Sequence, residues 1–381
     1  MALYRRESVK GRPHWQVVID QRDPETGARR RVVVGSFASK RDAEKAERDA
    51  LAMRDRGTLV VPSRMTMREL LTSWLESKRG EIGSQAWVDS EIVVRKHLVP
   101  ALGDVRVQAL TASRIQAAYD AWRAAGESAW QVRGFHNRLS QALDRAERFG
   151  VIHANPCRAA RPPRLEQKRV SVWNAAEAIT FLDAAKDDGL HPLWHLLLLE
   201  GLRRGEGLGL RWRDVDLDTG AAVVVQTVVA DKQNRGAALI QKRTKTNAGS
   251  RSVRLTQTTI EALKEHRKVQ NARRLAAPEW EDHGLIVCTG RGTPVNPANV
   301  SRSLDRLRRT ANLPEIRVHD LRHSSATLLL SAGIPIKIVS ERLGHTKASV
   351  TIDLYQHVIG GMQDDAAAAI DRAITPRSKV S

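Results

Sequence analysis

A proline- and arginine-rich stretch near the middle of the chain constrains the fold more than any other feature of the sequence. Residues 155–164 read NPCRAARPPR, and three prolines within ten residues disfavour a continuous helix or a central strand. We therefore predict a Pro/Arg linker over 154–169 with folded parts on either side. This fits the length, because 381 residues are too many for one compact domain.

The charge of the chain indicates what it binds. The sequence holds 62 Lys and Arg against 43 Asp and Glu, a net charge of +19. An excess of this size favours a polyanionic partner, most often nucleic acid, with simple solubility as the alternative. Cys157 and Cys288 are too few for a disulfide framework or a CxxC metal site. No apolar run approaches the ~20 residues of a membrane span, so we expect a cytoplasmic protein with no membrane partner.

Residues 1–63 are predicted to form a small three-stranded β-sheet followed by a helix. HWQVVID (14–20) alternates as a strand does, DPETG is a turn sequence, and RRRVVV (29–34) is the partner strand. Ser39 and Asp42 have the spacing of a helix N-cap, and Gly57 is a suitable end. An arginine-rich sheet can enter a DNA major groove, or it can be an ordinary solvated hairpin.

Residues 64–153 are predicted to be entirely helical. Apolar periodicity and punctuation by Pro and Gly give helices near Met67–Leu75, Ser84–Leu98, Ala112–Ala124 and Ala129–Phe149. Basic side chains recur on these helices: Arg95, Lys96, Arg133, Arg138, Arg145 and Arg148. Such charges usually only solvate a helix face, so the prediction of a DNA-binding surface here rests on the net charge of the chain.

Residues 170–360 are predicted to be a mixed, mainly α domain with a small antiparallel sheet. Trp194–Leu199 is a buried helical run, and Asp216–Gly220 is a turn. The predicted strands are Ala221–Val229, Ala237–Lys242 and Arg251–Leu255, the last two joined by NAGS. The whole chain is thus a multidomain α+β protein.

Two motifs in this domain combine phosphate-binding and proton-carrying side chains. GLRRGE places Arg203 in a glycine-flanked turn, which suits bidentate phosphate binding, although a surface Arg–Glu pair is the simpler interpretation. In HDLRH, His319 and Arg322 share one face of a helix. His319 and His323 also have the spacing of metal ligands, but without a third ligand we predict no metal.

Two further candidates follow near the end of the chain. In LGH, Gly344 is the expected C-terminal stop of a helix, with His345 just beyond it. Tyr355 lies ten residues further on a predicted short helix and is one of only three tyrosines in the chain. Taken alone, it could be a packing residue.

In this order, GLRRGE, KTNAGSRSVRL, HDLRH, LGH and Tyr355 resemble the catalytic domain of the tyrosine recombinases, the phage integrase family. The resemblance covers about residues 170–360. Residues 64–165 look like the family's helical core-DNA-binding domain, with the domain itself ending at 153, and residues 1–63 look like the arm-type DNA-binding domain of three-domain integrases. Residues 361–381 would be a tail, either frayed or packed as a helix on a neighbouring protomer.

The resemblance implies an active site that needs no cofactor and no metal. It assigns Arg203 and Arg322 to the scissile phosphate, with Glu206 as an acidic support. The remaining roles go to Lys245 on a hairpin as general acid, His319 and His345 in the phosphate pocket, and Tyr355 as nucleophile. The sequence departs from the family pattern at Glu200, where a threonine or similar residue is common, and at Arg254, where a proline is common.

The implied function is site-specific DNA recombination through a covalent 3′-phosphotyrosine intermediate, integrating or excising a phage or integrative element. The expected partners are double-stranded attachment sites and a homo-tetramer on paired sites, with an excision factor or a host DNA-bending protein as further candidates. The enzyme would be nucleoid-associated when bound. The alternatives are DNA relaxation like that of a type IB topoisomerase and a non-catalytic DNA-binding regulator.

Overall fold

The computed structural model describes residues 2–7, 13–22, 29–55, 60, 62–165, 171–231, 234, 236–242, 251–344 and 371. These residues form two compact units, and the chain passes from one to the other after residue 167. The predicted α+β architecture is confirmed: a small N-terminal sheet, a helical region, and a mainly helical second unit with small antiparallel sheets. Within the described ranges, no helix combines the length and the apolar character that a bilayer crossing requires.

A three-stranded antiparallel sheet and one helix make up the N-terminal part of the first unit. The strands are β1 (Ala2–Glu7), β2 (Pro13–Arg22) and β3 (Arg29–Phe37), with β2 in the centre, and α1 (Lys40–Asp55) follows. Val17 and Ile19 are two positions apart in β2 and are both buried against α1. The Ser39 hydroxyl accepts a hydrogen bond from the N–H of Asp42 at 3.1 Å, which confirms the predicted cap.

The rest of the first unit is helical. Its helices are α2 (Met67–Lys78), α3 (Ser84–Val93), α4 (Val99–Leu102), α5 (Ala112–Ala124) and α6 (Ala129–Arg148), with a π-helical segment, Val94–Leu98, between α3 and α4. Capping boxes begin α2, with Thr66 and Glu69, and α6, with Ser128 and Gln131. Buried side chains on α6 recur every three or four residues and form the core with α2 and α5: Val132, Phe135, Leu139, Ala142, Leu143 and Ala146.

The segment predicted as a linker begins inside this helical core. Asn155 is buried, and its side-chain amide donates to the carbonyl of Ser140 at 3.0 Å and to Asp144 at 2.8 Å. One 3-10 turn follows at Pro156–Arg158, a short element that the predicted Pro/Arg linker did not include. The cause is tertiary packing, because the side chains of Cys157 and Ala160 are small and apolar and are buried in the core of the helical region.

The second unit is built from helices around two small sheets. Its helices are α7 (Ala175–Ala184), α8 (His191–Leu198), α9 (Arg204–Gly209), α10 (Gln257–Ala276), α11 (Pro297–Thr310), α12 (Val318–Ser331) and α13 (Ile336–Leu343). Its strands are β4 (Val215–Asp216), β5 (Ala221–Val224), β6 (Gln226–Asp231), β7 (Ala237–Lys242) and β8 (Arg251–Arg254). All strand pairs are antiparallel.

Two strand predictions are corrected by the sheet topology. The strand expected over 221–229 is two strands, β5 and β6, which break at Val225 and belong to different sheets. The hairpin expected between the strands at 237–242 and 251–255 is not the observed pairing, because β7 pairs with β6 whereas β8 pairs with β5. Strand pairing depends on tertiary contacts, which the β-branched residues of the 221–229 segment do not determine by themselves.

Helix α8 is the centre of the second unit. Every side chain from Pro192 to Leu198 is buried, so the helix is covered on all sides. It packs against α7, α9, α10 and α12. Because α8 and α12 pack in this core, the core also fixes the GLRRGE motif, which follows α8, and the HDLRH motif, which lies in the first part of α12.

Helix α9 is short and contains three glycines that bring backbones into contact. A Cβ on Gly205 would lie 2.8 Å from the carbonyl oxygen of Val228, and one on Gly209 would lie 2.9 Å from that of Gln226, both on β6. A Cβ on Gly207 would lie 2.8 Å from a methyl of Leu193 on α8. Any side chain at these positions would push α9 away from its neighbours.

Candidate active site

The GLRRGE motif forms the turn between α8 and α9. Gly201 has a φ of +64°, and a Cβ there would lie 2.6 Å from a methyl of Leu343 and 3.2 Å from the hydroxyl of Ser325. Glycine is therefore required both for the backbone conformation and for the close approach of α12 and α13. The turn delivers Arg203 to the first position before α9, with its guanidinium partly exposed.

Glu206 joins two arginines at the base of this turn. Its side chain is fully buried, accepts from the N–H and from Nη1 of Arg203 at 2.9 Å each, and accepts from Nη2 of Arg251 at 2.9 Å. Burial by itself raises the pKa of Glu206, but the charges of Arg251 and Arg203 outweigh it and hold the pKa below its usual value. Glu206 is thus an ionised carboxylate that orients both guanidiniums.

Arg322 lies on α12 and is almost fully buried, with 2% of its surface exposed. Its Nη1 donates to the carbonyl oxygen of Gly201 at 2.6 Å, and its Nη2 donates to that of Leu343. Helix α12 begins at Val318 because Asp320 accepts hydrogen bonds from the N–H and the guanidinium of Arg317. This start sets the helical face on which Arg322 lies.

His319 is one turn before Arg322 and keeps much of its surface exposed. Partial burial, followed by the charge of Arg322, lowers the pKa of His319, so its imidazole is neutral at pH 7. His323 packs edge-on against it, with ring centroids 4.9 Å apart, and burial lowers the pKa of His323 to about 4. Among the described residues, no group of three or more His, Cys, Asp or Glu side chains could hold a metal ion.

The arginines of the site meet at the C-terminal end of α13. The helix ends at Gly344, which has a φ of +67° as the predicted stop requires. The carbonyl of Leu343 accepts from Arg251 and Arg322, and that of Gly344 accepts from Arg203 at 3.3 Å. Three guanidiniums therefore converge on one turn, where the helix dipole is negative.

The structure brings together Arg203, Glu206 and Arg322, with His319 one helical turn before Arg322. Lys245, His345 and Tyr355 lie outside the described residues. Arg251 also belongs to this cluster, although the sequence motifs point only to Lys245 in KTNAGSRSVRL. Its position six residues after Lys245, at the start of β8, was the available signal.

Comparison with family models covers all three regions of the chain. The phage integrase family model matches residues 174–360. The model of the phage integrase N-terminal SAM-like domain matches residues 66–123, and that of the Arm DNA-binding domain matches residues 4–52.

Curated relatives match along most of their length. A tyrosine recombinase XerC-like protein of Caldanaerobacter subterraneus subsp. tengcongensis is 27% identical over 350 residues, which is 87% of this chain and 90% of the relative. An integrase of Streptomyces ambofaciens is 27% identical and covers 88% of both chains. The ICEBs1 integrase of Bacillus subtilis is 24% identical over 79% of this chain and 82% of its own.

Solved structures of integrases share the fold. The Tn1549 transposon integrase in complex with a circular intermediate DNA superposes with a TM-score of 0.70 at 20% identity, over 81% of this chain and 99% of that one. A lambda integrase tetramer bound to a Holliday junction gives a TM-score of 0.55 at 20% identity, over 90% and 96% of the two chains. With the three family models in chain order and relatives aligned over most of their length, the chain belongs to the phage integrase family of tyrosine recombinases.

Proposed function

We propose that this site-specific DNA recombinase uses Tyr355 as its nucleophile and Arg203, Arg322, His319, His345 and Lys245 around the scissile phosphate, with Glu206 as support. The observation that carries the proposal is the convergence of Arg203 and Arg322 on one turn, oriented by the buried carboxylate of Glu206 and by backbone carbonyls. Guanidiniums fixed in this way need little reorganisation when a phosphate arrives.

The chemical step exchanges one phosphodiester bond for another. The Tyr355 oxygen forms a bond to phosphorus, the bond from phosphorus to the 5′-oxygen breaks, and the phosphate stays on the 3′ end as a phosphotyrosine. The proton of the tyrosine passes to a base, for which a neutral His319 is suited, and Lys245 gives a proton to the 5′-oxygen. The reverse exchange rejoins a strand without ATP, because the bond energy is conserved.

The negative charge that grows on the non-bridging oxygens is stabilised by arginine. Two bidentate guanidiniums supply fixed donors where a metal ion would otherwise be needed.

The wider assembly belongs to the same proposal. Residues 1–63 would bind arm sites, residues 64–153 would bind the core site, and residues 154–169 would link them to the catalytic domain, residues 170–360. The protein would act as a homo-tetramer on paired attachment sites of a phage or integrative element. The solved lambda integrase tetramer on a Holliday junction supports the tetramer. The family model at residues 4–52 favours integration over simple relaxation, because a topoisomerase needs no second DNA-reading domain. An excision factor or a host DNA-bending protein would be a further partner.

A suicide substrate, in which a nick lets the cleaved 5′ fragment diffuse away, tests the nucleophile. The wild-type chain should become covalently attached to the DNA on a denaturing gel, whereas Tyr355→Phe should bind the same DNA and form no adduct. Phenylalanine keeps the ring and removes only the attacking oxygen. Adduct formation by the variant would move the nucleophile to Tyr4 or Tyr119, and a wild type without adduct would favour a non-catalytic regulator.

Exchange between two different sites then separates the enzymatic alternatives. A recombinase should yield recombinant products, whereas a relaxing enzyme should yield only relaxed DNA.

A further inference from the structure

Glu200, one of the two departures from the family pattern, is a fully buried carboxylate just after α8. Its Oε1 accepts hydrogen bonds from the N–H of Thr256 at 2.9 Å, from the hydroxyl of Thr256 at 2.9 Å and from the hydroxyl of Thr259 at 2.7 Å. Its Oε2 accepts from the guanidinium of Arg342 on α13. A buried carboxylate needs such partners, because burial removes the water molecules that would otherwise hydrate its charge.

Arg254, the other departure, contacts the same guanidinium. Its carbonyl oxygen accepts from Nη1 of Arg342 at 2.9 Å. Arg342 therefore ties the last turn of α13 to Glu200, two residues after α8, and to the end of β8. Through Glu200 it is also joined to the start of α10. The contact at 254 uses the backbone carbonyl, which any residue there would supply, whereas the contact at 200 depends on the carboxylate of Glu200.

The turn that Arg342 holds is the turn on which the candidate site converges. The next residue, Leu343, supplies the carbonyl that accepts from Arg251 and Arg322, and Gly344 supplies the one that accepts from Arg203. Glu200 thus holds the side chain of Arg342 in this turn. The carbonyls of the next two residues, Leu343 and Gly344, accept the hydrogen bonds of the arginines. A displacement of the turn would carry those carbonyls with it.

We infer that Glu200 and Arg342 are positioning residues for phosphate cleavage, which rests on the proposed function. The pair fixes the last turn of α13 and, through its carbonyls, the guanidiniums of Arg203, Arg251 and Arg322. Reacting groups tolerate little misplacement, since a shift of about 1 Å can cost on the order of a hundredfold in rate. A buried ion pair adds little net stability, whereas its directional hydrogen bonds specify one arrangement.

Glu200→Gln in the full-length protein is the direct test. The amide keeps the volume and one oxygen for the threonines, but it removes the charge that holds Arg342. We expect the affinity for a core-site duplex to stay within about twofold, while the rate of adduct formation on a suicide substrate falls by about 10- to 100-fold, the size of a misplacement effect.

The matched control is Asp214→Asn. Asp214 and Arg211 form an ion pair in the same unit with side chains 12% and 13% exposed, and their hydrogen bonds lie within their own turn. The control variant should lower the thermal midpoint and leave the cleavage rate as in the wild type. If Glu200→Gln does not accumulate as folded protein, Arg342→Lys replaces it, because lysine keeps the charge and cannot reach both Glu200 and the Arg254 carbonyl with separate nitrogens.

A methylphosphonate at the scissile position distinguishes positioning of the arginines from general destabilisation. It replaces a charged non-bridging oxygen by a neutral methyl group, so the transition state carries less negative charge for the guanidiniums to stabilise. The loss of cleavage rate in Glu200→Gln should therefore be smaller on this substrate. An equal defect on both substrates, or a cleavage rate within twofold of wild type on the ordinary one, would overturn the inference. Absence of adduct from the wild type would instead contradict the proposed function.

Discussion

The guanidiniums of the site differ in how firmly they are held. Arg322 is buried and donates to two carbonyls on different elements, whereas the Arg203 side chain is 38% exposed and is held mainly by Glu206. A fixed donor costs no reorganisation, and an exposed one can turn toward an arriving phosphate. We therefore expect Arg322 to keep its position on DNA binding and Arg203 to adjust only slightly, because Glu206 continues to hold it.

Replacing either arginine by lysine tests the phosphate contact. In Arg203→Lys and Arg322→Lys the charge remains, but a single ammonium cannot make two fixed hydrogen bonds. We expect each variant to lose at least about a hundredfold in cleavage rate, the size of losing one oxyanion donor. Single-turnover adduct formation on a suicide substrate measures this loss.

Arg204→Lys is the control for that experiment. Arg204 is adjacent in sequence, but its guanidinium donates to the carbonyl of Pro297 at 3.3 Å, away from α13. It should cleave at close to the wild-type rate. Near-normal cleavage by Arg322→Lys would contradict a bidentate phosphate contact.

The sequence identifies some site residues much better than others. Arg203, Glu206 and Arg322 lie within short motifs, and their spacing already places them on helix starts and faces. Arg251 is harder to recognise, because in an alternating strand it has the pattern of a solvated residue and its partner Glu206 is 45 residues away. Glu200 is harder still, since only the fold shows that its charge meets Arg342.

At the scale of elements, boundaries set by local chemistry are predictable and pairings are not. Helix α5 has the predicted bounds, Ala112–Ala124, because the Thr111 hydroxyl caps it. Strand β7 also has its predicted bounds, Ala237–Lys242. The break at Val225 could not be predicted, because the segment AAVVVQTVV is rich in β-branched residues that favour strand on both sides of it, and only the sheet partners divide it.

The turn between α8 and α9 should not tolerate a side chain. Gly201→Ala would add a methyl 2.6 Å from Leu343 at a positive φ, so α13 or the turn must shift. We expect the free energy of unfolding to fall by about 1–3 kcal/mol, as for overpacking and backbone strain. Chemical denaturation of the full chain measures the change. Gly189→Ala is the control, because a Cβ there meets nothing within 4 Å, and an equal loss in both variants would contradict the steric argument.

Helix α8 should make the second unit sensitive to acid. Burial, followed by the charge of neighbouring His191, lowers the pKa of His195 to about 4. Its folded pKa is below the unfolded value, so its contribution to stability is complete above about pH 6.5 and is lost as the pH falls toward 4. Over that range the loss from this residue would approach about 3 kcal/mol.

His195→Leu should reduce this sensitivity. We expect the thermal midpoint of the variant to fall less than that of the wild type between pH 7.5 and pH 5, because leucine takes up no proton in the unfolded state. Among the described residues, Nδ1 of His195 has no hydrogen-bond partner, so the replacement gives up only the 3.1 Å hydrogen bond between Nε2 of His195 and Nε2 of His191. Parallel decreases in the two proteins would show that other groups determine the acid response.

At the scale of the molecule, the N-terminal sheet should be separable from the chemistry. The described site residues all lie in the second unit, and the Arm DNA-binding model matches residues 4–52. An arm domain on the same chain would raise the effective concentration of core DNA at the catalytic domain. Deletion of residues 1–63 should therefore spare adduct formation on an isolated core site and abolish integration between full attachment sites.

Footprinting provides the second measurement for that deletion. The shortened protein should lose protection outside the core while keeping protection within it. Integration at the intact rate would mean that the sheet only stabilises or solubilises the protein.

The glycine-lined contact of α9 bears on how a mutational scan of this protein should be read. Gly205, Gly207 and Gly209 accept no larger side chain, because carbonyl oxygens and a leucine methyl occupy the space. In a saturation library selected for recombination, these glycines should be depleted as strongly as Arg203, which the proposed mechanism places at the scissile phosphate. If depletion alone were used to define the active site, these three glycines would be assigned to it by mistake. A parallel selection for protein abundance would distinguish the two groups, since loss of Arg203 should leave abundance high.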